Sequence, residues 1–181
     1  MADLIGTLRE DHDNARRLLD LLEHEADAFA AGEDADFDVI EGVIDYFRGY
    51  PDAYHHPLED RIVARLKGAA PDRMQAVDDL LRQHQTLRRA LHDVADDLDK
   101  MHIEVEMPRA RIVDGLKGFA QAYRSHMAGE EADFFPLADD VLGAADWQAI
   151  QAEMTAQHDP LFGGREGFDG LRKRLLAADG G

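Results

Sequence analysis

The sequence contains no cysteine among its 181 residues. This absence excludes disulfide bonds, thiolate metal ligands and cysteine nucleophiles together. The chain also lacks any apolar run near the roughly 18 residues that a membrane helix needs. Its first residues, Met1 to Leu4, show neither the basic nor the apolar segment of a signal peptide. These features together favour a cytoplasmic protein.

Basic residues are scarce: 20 lysines and arginines stand against 38 aspartates and glutamates, giving a formal net charge of -18. Such a chain is repelled by phosphate backbones and anionic lipids, so we expect no nucleic-acid partner and no membrane partner. An acidic surface attracts cations, but diffuse charge is not evidence for a specific site. Solubility accounts for most of this charge.

An alternating strand pattern is missing as well, whereas apolar residues recur at helical spacing. The spacing predicts four long helices, over residues 4–31, 37–66, 72–101 and 108–142. Turn-rich segments separate these helices, and short connections imply antiparallel neighbours. We therefore expect an all-α fold, an up-down-up-down four-helix bundle with a short helical C-terminal extension.

The C-terminal extension is expected to cover the bundle without forming a second domain. On this interpretation the bundle spans residues 1–143 and the tail spans residues 144–181. Asp146 is predicted to be the N-cap of a first short helix. A last short helix is expected to carry apolar residues, namely Phe168, Leu171, Leu175 and Leu176.

Proline interrupts two of the predicted long helices. Pro51 and Pro57 fall within the second, and Pro136 falls within the fourth. Each lacks an N–H donor and should kink the helix or break its hydrogen-bond ladder. All three lie beside histidines or glutamates, and local rules are often broken at functional positions.

Two of the nine histidines begin the same short pattern. His55 precedes Glu59 by four residues, and His126 precedes Glu130 by four. Residues four apart lie on one face of a helix. Each pair can therefore turn an imidazole and a carboxylate toward one metal site.

His12 and His84 lie on the other two predicted helices, and the turns show that all four histidines share one level. In an up-down bundle, two residues are level when the turn falls midway between them. The midpoint of His12 and His55 is at about residue 33, within a turn. For Glu59 and His84 it is at about residue 71, and for His84 and His126 at about residue 105. Both of these also fall in predicted turns, so the spacing predicts a common metal layer.

The ligand types narrow the choice of metal. Imidazoles mixed with carboxylates, without sulfur, suit iron, manganese or zinc. One glutamate from each of two helices can bridge two ions while four histidines fill terminal positions, which favours a dinuclear centre. Zinc has no redox chemistry, whereas a bridged iron pair can change oxidation state.

These motifs resemble the hemerythrin-like family, the HHE cation-binding domain, whose pattern is His, His-x-x-x-Glu, His, His-x-x-x-Glu. The resemblance covers about residues 4–142 and is carried by the stretches 11–14, 54–60, 83–84 and 126–136. It implies a left-handed bundle and two iron ions with an oxo or hydroxo bridge, zinc or manganese being the lesser alternatives. The ligands that it implies are His12, His55, Glu59, His84, His126 and Glu130, with the two glutamates as bridges.

One position departs from the oxygen-carrying hemerythrins, which have a second histidine four residues after the one on the third helix. This chain has Arg88 there. The arginine can close the open site, pair with a carboxylate or leave the site, and it puts reversible oxygen carriage in doubt. His56 is a candidate replacement ligand, because Pro57 distorts the helix beside it.

Other polar residues near the motifs are assigned weaker roles. Glu131 is interpreted as a surface residue, because it points away from Glu130 on an ideal helix. Tyr54 and Tyr123 can hydrogen-bond a glutamate or a bound oxygen species, or can be ordinary core residues. His158 is assigned a structural role in the tail, the alternative being a position at the mouth of the site.

Three functions remain open from the sequence. The first is a di-iron module that binds or senses dioxygen, nitric oxide or iron, and the second is a di-iron enzyme that decomposes hydrogen peroxide or acts as an oxidase. The third is a structural helical bundle with a zinc ion or an empty site. In the first two, the expected partner is a small diatomic ligand or peroxide.

Overall fold

The computed structural model describes residues 3–103, 106–154, 161 and 168–179. Within these ranges all regular structure is helical, which confirms the predicted all-α class. The α-helices are α1 Leu4–Ala31, α2 Phe37–Tyr50, α3 His56–Ala69, α4 Gln75–His102, α5 Arg109–Gly129, α6 Phe135–Val141, α7 Ala144–Glu153 and α8 Asp169–Asp179. Two π-helical segments, Pro51–His55 and Glu130–Phe134, join α2 to α3 and α5 to α6.

The π-helical segments are the ladder breaks that the prolines predict. The N–H of His56 donates to the carbonyl of Pro51, and the N–H of Phe135 donates to the carbonyl of Glu130. Each bond spans five residues instead of four, and each donor immediately precedes a proline. Because proline has no N–H and its ring clashes with the preceding turn, that turn widens. Both long helices continue past the widened turn, but the side chains after it are rotated about the helix axis relative to those before it.

Helix ends follow the sequence signals in some places and depart from them in others. Gly32 ends α1 in the left-handed conformation at φ 79°, as its position predicts. The third long helix begins at Gln75, after a 3₁₀ turn over Pro71–Arg73. Asp146 as an N-cap is wrong: Gly143 holds that position, and its N–H donates to the Asp146 carboxylate at 3.1 Å.

The long helices pack in a closed ring. Contacts join α1 to α2, α2 to α4, α4 to α5 and α5 back to α1. The short helix α7 packs on α3, and α8 packs on α1 and α2. Among the described residues, no helix is both long and apolar enough to cross a membrane.

The hydrophobic core is divided into two clusters. One is built mainly by α1, α2, α4 and α5, and on α1 it begins at Ala15. The other is built mainly by α1, α3, α4, α6 and α7, and on α1 it ends at Leu8. His12 is buried between them, and His84 lies between the two clusters on α4 in the same way. A polar layer therefore crosses the bundle.

Leu22 is fully buried at 0% exposure, whereas Leu176, which the sequence assigned to the apolar cover, is 64% exposed. We expect Leu22→Ala to lower the free energy of unfolding by about 2–5 kcal/mol, because the truncation leaves a cavity. The matched variant Leu176→Ala should change it by less than about 0.5 kcal/mol. Denaturant unfolding of both variants measures the difference, and equal effects would contradict this core.

Candidate metal centre

Seven buried polar side chains meet in the layer between the two hydrophobic clusters. They are His12, His55, His56, Glu59, His84, His126 and Glu130. None is more than 5% exposed, and both glutamates are at 0%. The structure thus brings together every residue that the sequence singled out as a metal ligand, while their ligand roles stay a prediction.

The donor atoms of these side chains form two groups, and within each group they lie within 4.8 Å of one another. The first group consists of His56, Glu59, His84 and His126. The second group consists of His12, His55, Glu59 and Glu130. Each group has the mixed imidazole and carboxylate character that suits a divalent cation.

The Glu59 carboxylate reaches both groups. Its Oε1 lies 3.4 Å from Nε2 of His55, and its Oε2 lies 3.2 Å from Nε2 of His84. One oxygen therefore faces each group, as in a carboxylate that bridges two cations.

Glu130 spans the same gap from the opposite side. Its Oε1 lies 2.9 Å from Nε2 of His126 and 3.6 Å from Nε2 of His84. Its Oε2 lies 3.1 Å from Nε2 of His12. The two glutamates are thus arranged alike, with one oxygen toward each set of imidazoles.

Most of the inward-facing donor atoms lack hydrogen bonds. Among the described residues no hydrogen-bond partner exists for Nε2 of His12, His56, His84 and His126, or for either carboxylate oxygen of Glu59 and Glu130. The nitrogen-to-oxygen distances across the layer are 2.9 to 3.6 Å. An unsatisfied buried polar group costs about 1–3 kcal/mol, so one orphan is tolerable and a cluster of them is not. Their number and type fit a pair of metal ions.

The outward-facing nitrogens of the imidazoles are held by acceptors. His55 Nδ1 donates to Oδ2 of Asp11 at 2.9 Å, and the Tyr50 hydroxyl donates to the other oxygen of Asp11 at 3.1 Å. His126 Nδ1 donates to the side-chain oxygen of Gln83 at 3.0 Å. An acceptor at Nδ1 selects the tautomer that leaves the Nε2 lone pair for a metal.

Glu131 is part of the same arrangement, so its assignment to the surface is wrong. Its Oε1 accepts a hydrogen bond from His12 Nδ1 at 2.8 Å. The Arg16 guanidinium donates to both of its oxygens, at 2.6 and 2.7 Å. Helical geometry turns Glu131 away from Glu130, and this direction faces α1. Because α1 packs against α5, His12 and Arg16 on α1 are within reach of its carboxylate.

Arg88 pairs with a carboxylate, which is one of the three roles that the sequence left open. Its Nε lies 2.9 and 3.1 Å from the two oxygens of Asp52. His56 Nδ1 donates to the same carboxylate at 2.8 Å. The arginine is therefore linked to the cluster only through Asp52.

The tyrosines predicted near the site occupy different environments. Tyr123 is buried, and its ring centroid lies 6.1 Å from that of His126. Tyr54 is half-buried and packs against Tyr50 at 5.5 Å. No hydrogen bond from either hydroxyl to Glu59 or Glu130 occurs among the described residues.

Histidines outside the seven stay apart from the site. His24, His92 and His102 are exposed. His158 lies outside the described residues, so the prediction made for it stands as a prediction.

The buried charges shift the pKa values of the cluster. Burial opposes protonation of His84, but the adjacent carboxylates of Glu130 and Glu59 outweigh it and raise its pKa to about 9. Burial likewise opposes the charged form of Glu130, yet the imidazoles of His12, His126 and His84 hold its pKa well below the usual range. The Glu130 carboxylate therefore stays ionised at neutral pH, and a cation that binds His84 must displace its proton.

The fold and this layer define a class of protein, the helical bundles with buried histidine and carboxylate groups that bind cations. The chain belongs to the hemerythrin family, since the hemerythrin HHE cation binding domain matches residues 3–138. The matched range includes all seven residues of the layer, and it confirms the resemblance read from the motifs. No curated protein and no solved structure matches the chain significantly.

Glu131→Ala should weaken binding of a divalent cation by about 10- to 100-fold, because His12 loses the acceptor that orients its ring. Glu131→Gln keeps an acceptor oxygen and should lose less. Asp133 is exposed in the same π-helical segment, so Asp133→Ala is the matched control and should bind as the unmodified chain does. Chelator competition with ferrous iron under anaerobic conditions measures the affinities, and equal affinities for Glu131→Ala and the control would contradict the role of Glu131.

Proposed function

We propose that this chain is a non-haem di-iron protein that binds or senses dioxygen, nitric oxide or iron at a carboxylate-bridged centre. The observation that carries the proposal is the placement of Glu59 and Glu130. Each presents one oxygen to each of two imidazole groups, at nitrogen-to-oxygen distances of 2.9 to 3.6 Å. A single ion would leave one oxygen of each carboxylate buried without a partner.

Iron is the metal that best suits these ligands and a redox or gas-binding role. The donor set of imidazoles and carboxylates, without sulfur, accepts iron, manganese or zinc, and of these zinc has no redox chemistry. A bridged iron pair supplies reversible electron transfer and an open coordination position for a small ligand.

The two groups differ in their number of imidazoles. Three belong to the group of His56, His84 and His126, and two belong to the group of His12 and His55. With both carboxylates shared, the ion held by His12 and His55 has one protein ligand fewer. We therefore assign the small-ligand position to that ion.

His56 restores the imidazole count that Arg88 would otherwise reduce. Its ring stacks on that of His84, with centroids 4.1 Å apart. The chain thus offers His56, at the start of α3, as a fifth histidine. Oxygen-carrying hemerythrins instead use a second histidine on the third long helix, which is α4 here. The arginine alone is therefore no argument against oxygen binding.

The surrounding side chains limit what can reach the layer. The Phe135 ring stacks on His12 at 5.3 Å, and the two hydrophobic clusters close the layer on both sides. Since no residue of the layer is more than 5% exposed, bulk water is kept out. This environment suits a ligand of two or three atoms.

We also propose that the long helices alternate in direction. The ring of contacts joins helices that are consecutive in the chain, and His12, His55, His84 and His126 meet at one level. Short connections between helices of similar length favour the antiparallel arrangement.

A di-iron enzyme that decomposes hydrogen peroxide is the alternative, and Tyr123 favours it. Burial raises the pKa of its hydroxyl well above the usual range, and the charges of Glu130 and Glu59 add to the effect. The phenol therefore keeps its proton beside His126, where it can donate a hydrogen bond to a bound ligand.

Metal content tests the proposed centre directly. The full chain purified anaerobically should hold about two irons, as the two ligand groups require. Glu59→Ala or Glu130→Ala should abolish binding of the pair, because each removes a ligand from both ions. Glu10 is exposed on α1, so Glu10→Ala is the control and should keep both irons. One zinc per chain, or full iron occupancy in either glutamate variant, would show that the proposed bridges are wrong.

Gas exchange and peroxide turnover separate the two candidate functions. Release of bound oxygen under vacuum is expected for the binding module, whereas sustained oxygen evolution from peroxide is expected for the enzyme. If Tyr123 donates a hydrogen bond to the bound peroxide, Tyr123→Phe should slow that evolution by about 10-fold without changing the iron content. An unchanged rate in this variant would remove Tyr123 from the chemistry.

A further inference from the structure

Arg88 is the position at which this chain departs from its oxygen-carrying relatives, and it touches the layer through one carboxylate. We propose that Arg88 is a positioning residue that fixes His56, through Asp52, as the third imidazole ligand of one metal ion. This inference rests on the di-iron centre proposed above and assigns residues that the family motif does not include.

The contacts form a continuous chain from the surface to the layer. The Nε of Arg88, whose side chain is 48% exposed, lies 2.9 Å from Oδ1 and 3.1 Å from Oδ2 of Asp52. The Asp52 carboxylate, 36% exposed, accepts a hydrogen bond from His56 Nδ1 at 2.8 Å. His56 itself is 3% exposed. A surface guanidinium is thus joined to a buried imidazole by one carboxylate.

The hydrogen bond to Asp52 decides which nitrogen of His56 is available. An ionised carboxylate only accepts hydrogen bonds, so the proton must be on Nδ1. The lone pair then lies on Nε2, which is buried and has no hydrogen-bond partner among the described residues. That atom belongs to the same ligand group as Glu59, His84 and His126. Asp52 therefore turns His56 into a metal donor.

Arg88 restrains the orientation of the Asp52 carboxylate, which is not fixed by Asp52 alone. Asp52 is in the widened turn before His56, and more than a third of its side chain is exposed, so water competes for its oxygens. The Nε–H of Arg88 is shared between both oxygens, and this charge-assisted contact restrains the carboxylate. The plane of the His56 ring is then fixed from α4, the helix that also carries His84.

The same device occurs at two other histidines of the layer. Arg16 holds Glu131, which accepts from His12. Tyr50 holds Asp11, which accepts from His55. In each case the carboxylate that orients an imidazole is itself bound by a second donor. The recurrence indicates that Arg88 and Asp52 orient a ligand and are more than a surface ion pair.

Release of iron to a chelator tests the proposal. Arg88→Gln in the full iron-loaded chain should speed the loss of one iron by about 10- to 100-fold and leave the second near its original rate. Arg88→Lys keeps the charge but not the planar guanidinium with its Nε–H, and should fall between Arg88→Gln and the unmodified chain. The control is Arg65→Gln, since Arg65 is 38% exposed and pairs with Glu153 at 2.9 Å, away from the layer. It should release iron as the unmodified chain does.

A second measurement observes His56 without iron chemistry. In the full chain loaded with zinc as a diamagnetic probe, the ¹⁵N shifts of His56 should report a protonated Nδ1 and a metal-bound Nε2. Arg88→Gln should broaden or shift these signals and spare those of His12 and His55. The unfolding midpoint of the metal-free chain should stay unchanged, which separates positioning from a general structural effect.

The outcomes distinguish this inference from the proposed function. An unmodified chain that binds no iron pair would overturn both. A chain that binds the pair while His56→Ala still holds two irons would overturn only the role of His56. Equal acceleration of both irons in Arg88→Gln, or none, would overturn the role of Arg88.

Discussion

Two ionised carboxylates buried at 0% exposure are the constraint on which the rest of this structure depends. An isolated charge in a protein interior is costly, and it is tolerated only beside opposite charge and hydrogen-bond donors. Glu59 and Glu130 meet this need with five imidazoles, whose nitrogens lie between the two hydrophobic clusters. In return the carboxylates hold the pKa values of His55 and His84 above the usual range, although burial opposes this. The carboxylates and imidazoles therefore stabilise one another through charge, and the inward-facing atoms without hydrogen-bond partners remain available to cations.

The need of buried charged and polar groups for hydrogen-bond partners extends outward from the layer. Four of the five inward-facing imidazoles have an acceptor at the other nitrogen, and these acceptors are three aspartates or glutamates and one glutamine. The accepting carboxylates have donors of their own, which Arg16, Tyr50 and Arg88 provide. Exposure rises along the paths through Glu131 to Arg16 and through Asp52 to Arg88, so the cost of charge falls there as the network leaves the core, whereas Asp11 and Tyr50 stay buried. The acidic surface of the chain is thus partly organised by its centre.

The sequence predicted the long helices and the four histidines at one level, because helix length and turn position fix the height of a side chain in a bundle. Spacing added the two glutamates, and His56 was only a candidate that the departure at Arg88 suggested. It did not predict Asp11, Asp52 and Gln83 as acceptors. Asp52 lies one turn before His56, which it orients, whereas Asp11 and Gln83 adjoin His12 and His84 in sequence but accept from His55 and His126 on other helices. Whether such a side chain reaches inward depends on rotations that ideal helical angles do not give. The π-helical turns supply part of that rotation. Proline signals that the ladder breaks, but not that the turn widens, and Glu131 was misassigned because contacts from α1 were not visible.

The widened turn also bears on the roles that we propose for Arg88 and His56. A histidine one turn after His84 would be oriented by the unbroken hydrogen-bond ladder of α4. His56 instead begins α3 directly after the π-helical segment, where the backbone bonds to a carbonyl five residues back. Its ring has a support outside α3. Asp52 supplies this support within the π-helical segment, and Arg88 ties that carboxylate to α4. In the roles that we propose, Arg88 and His56 are therefore two parts of one structural feature.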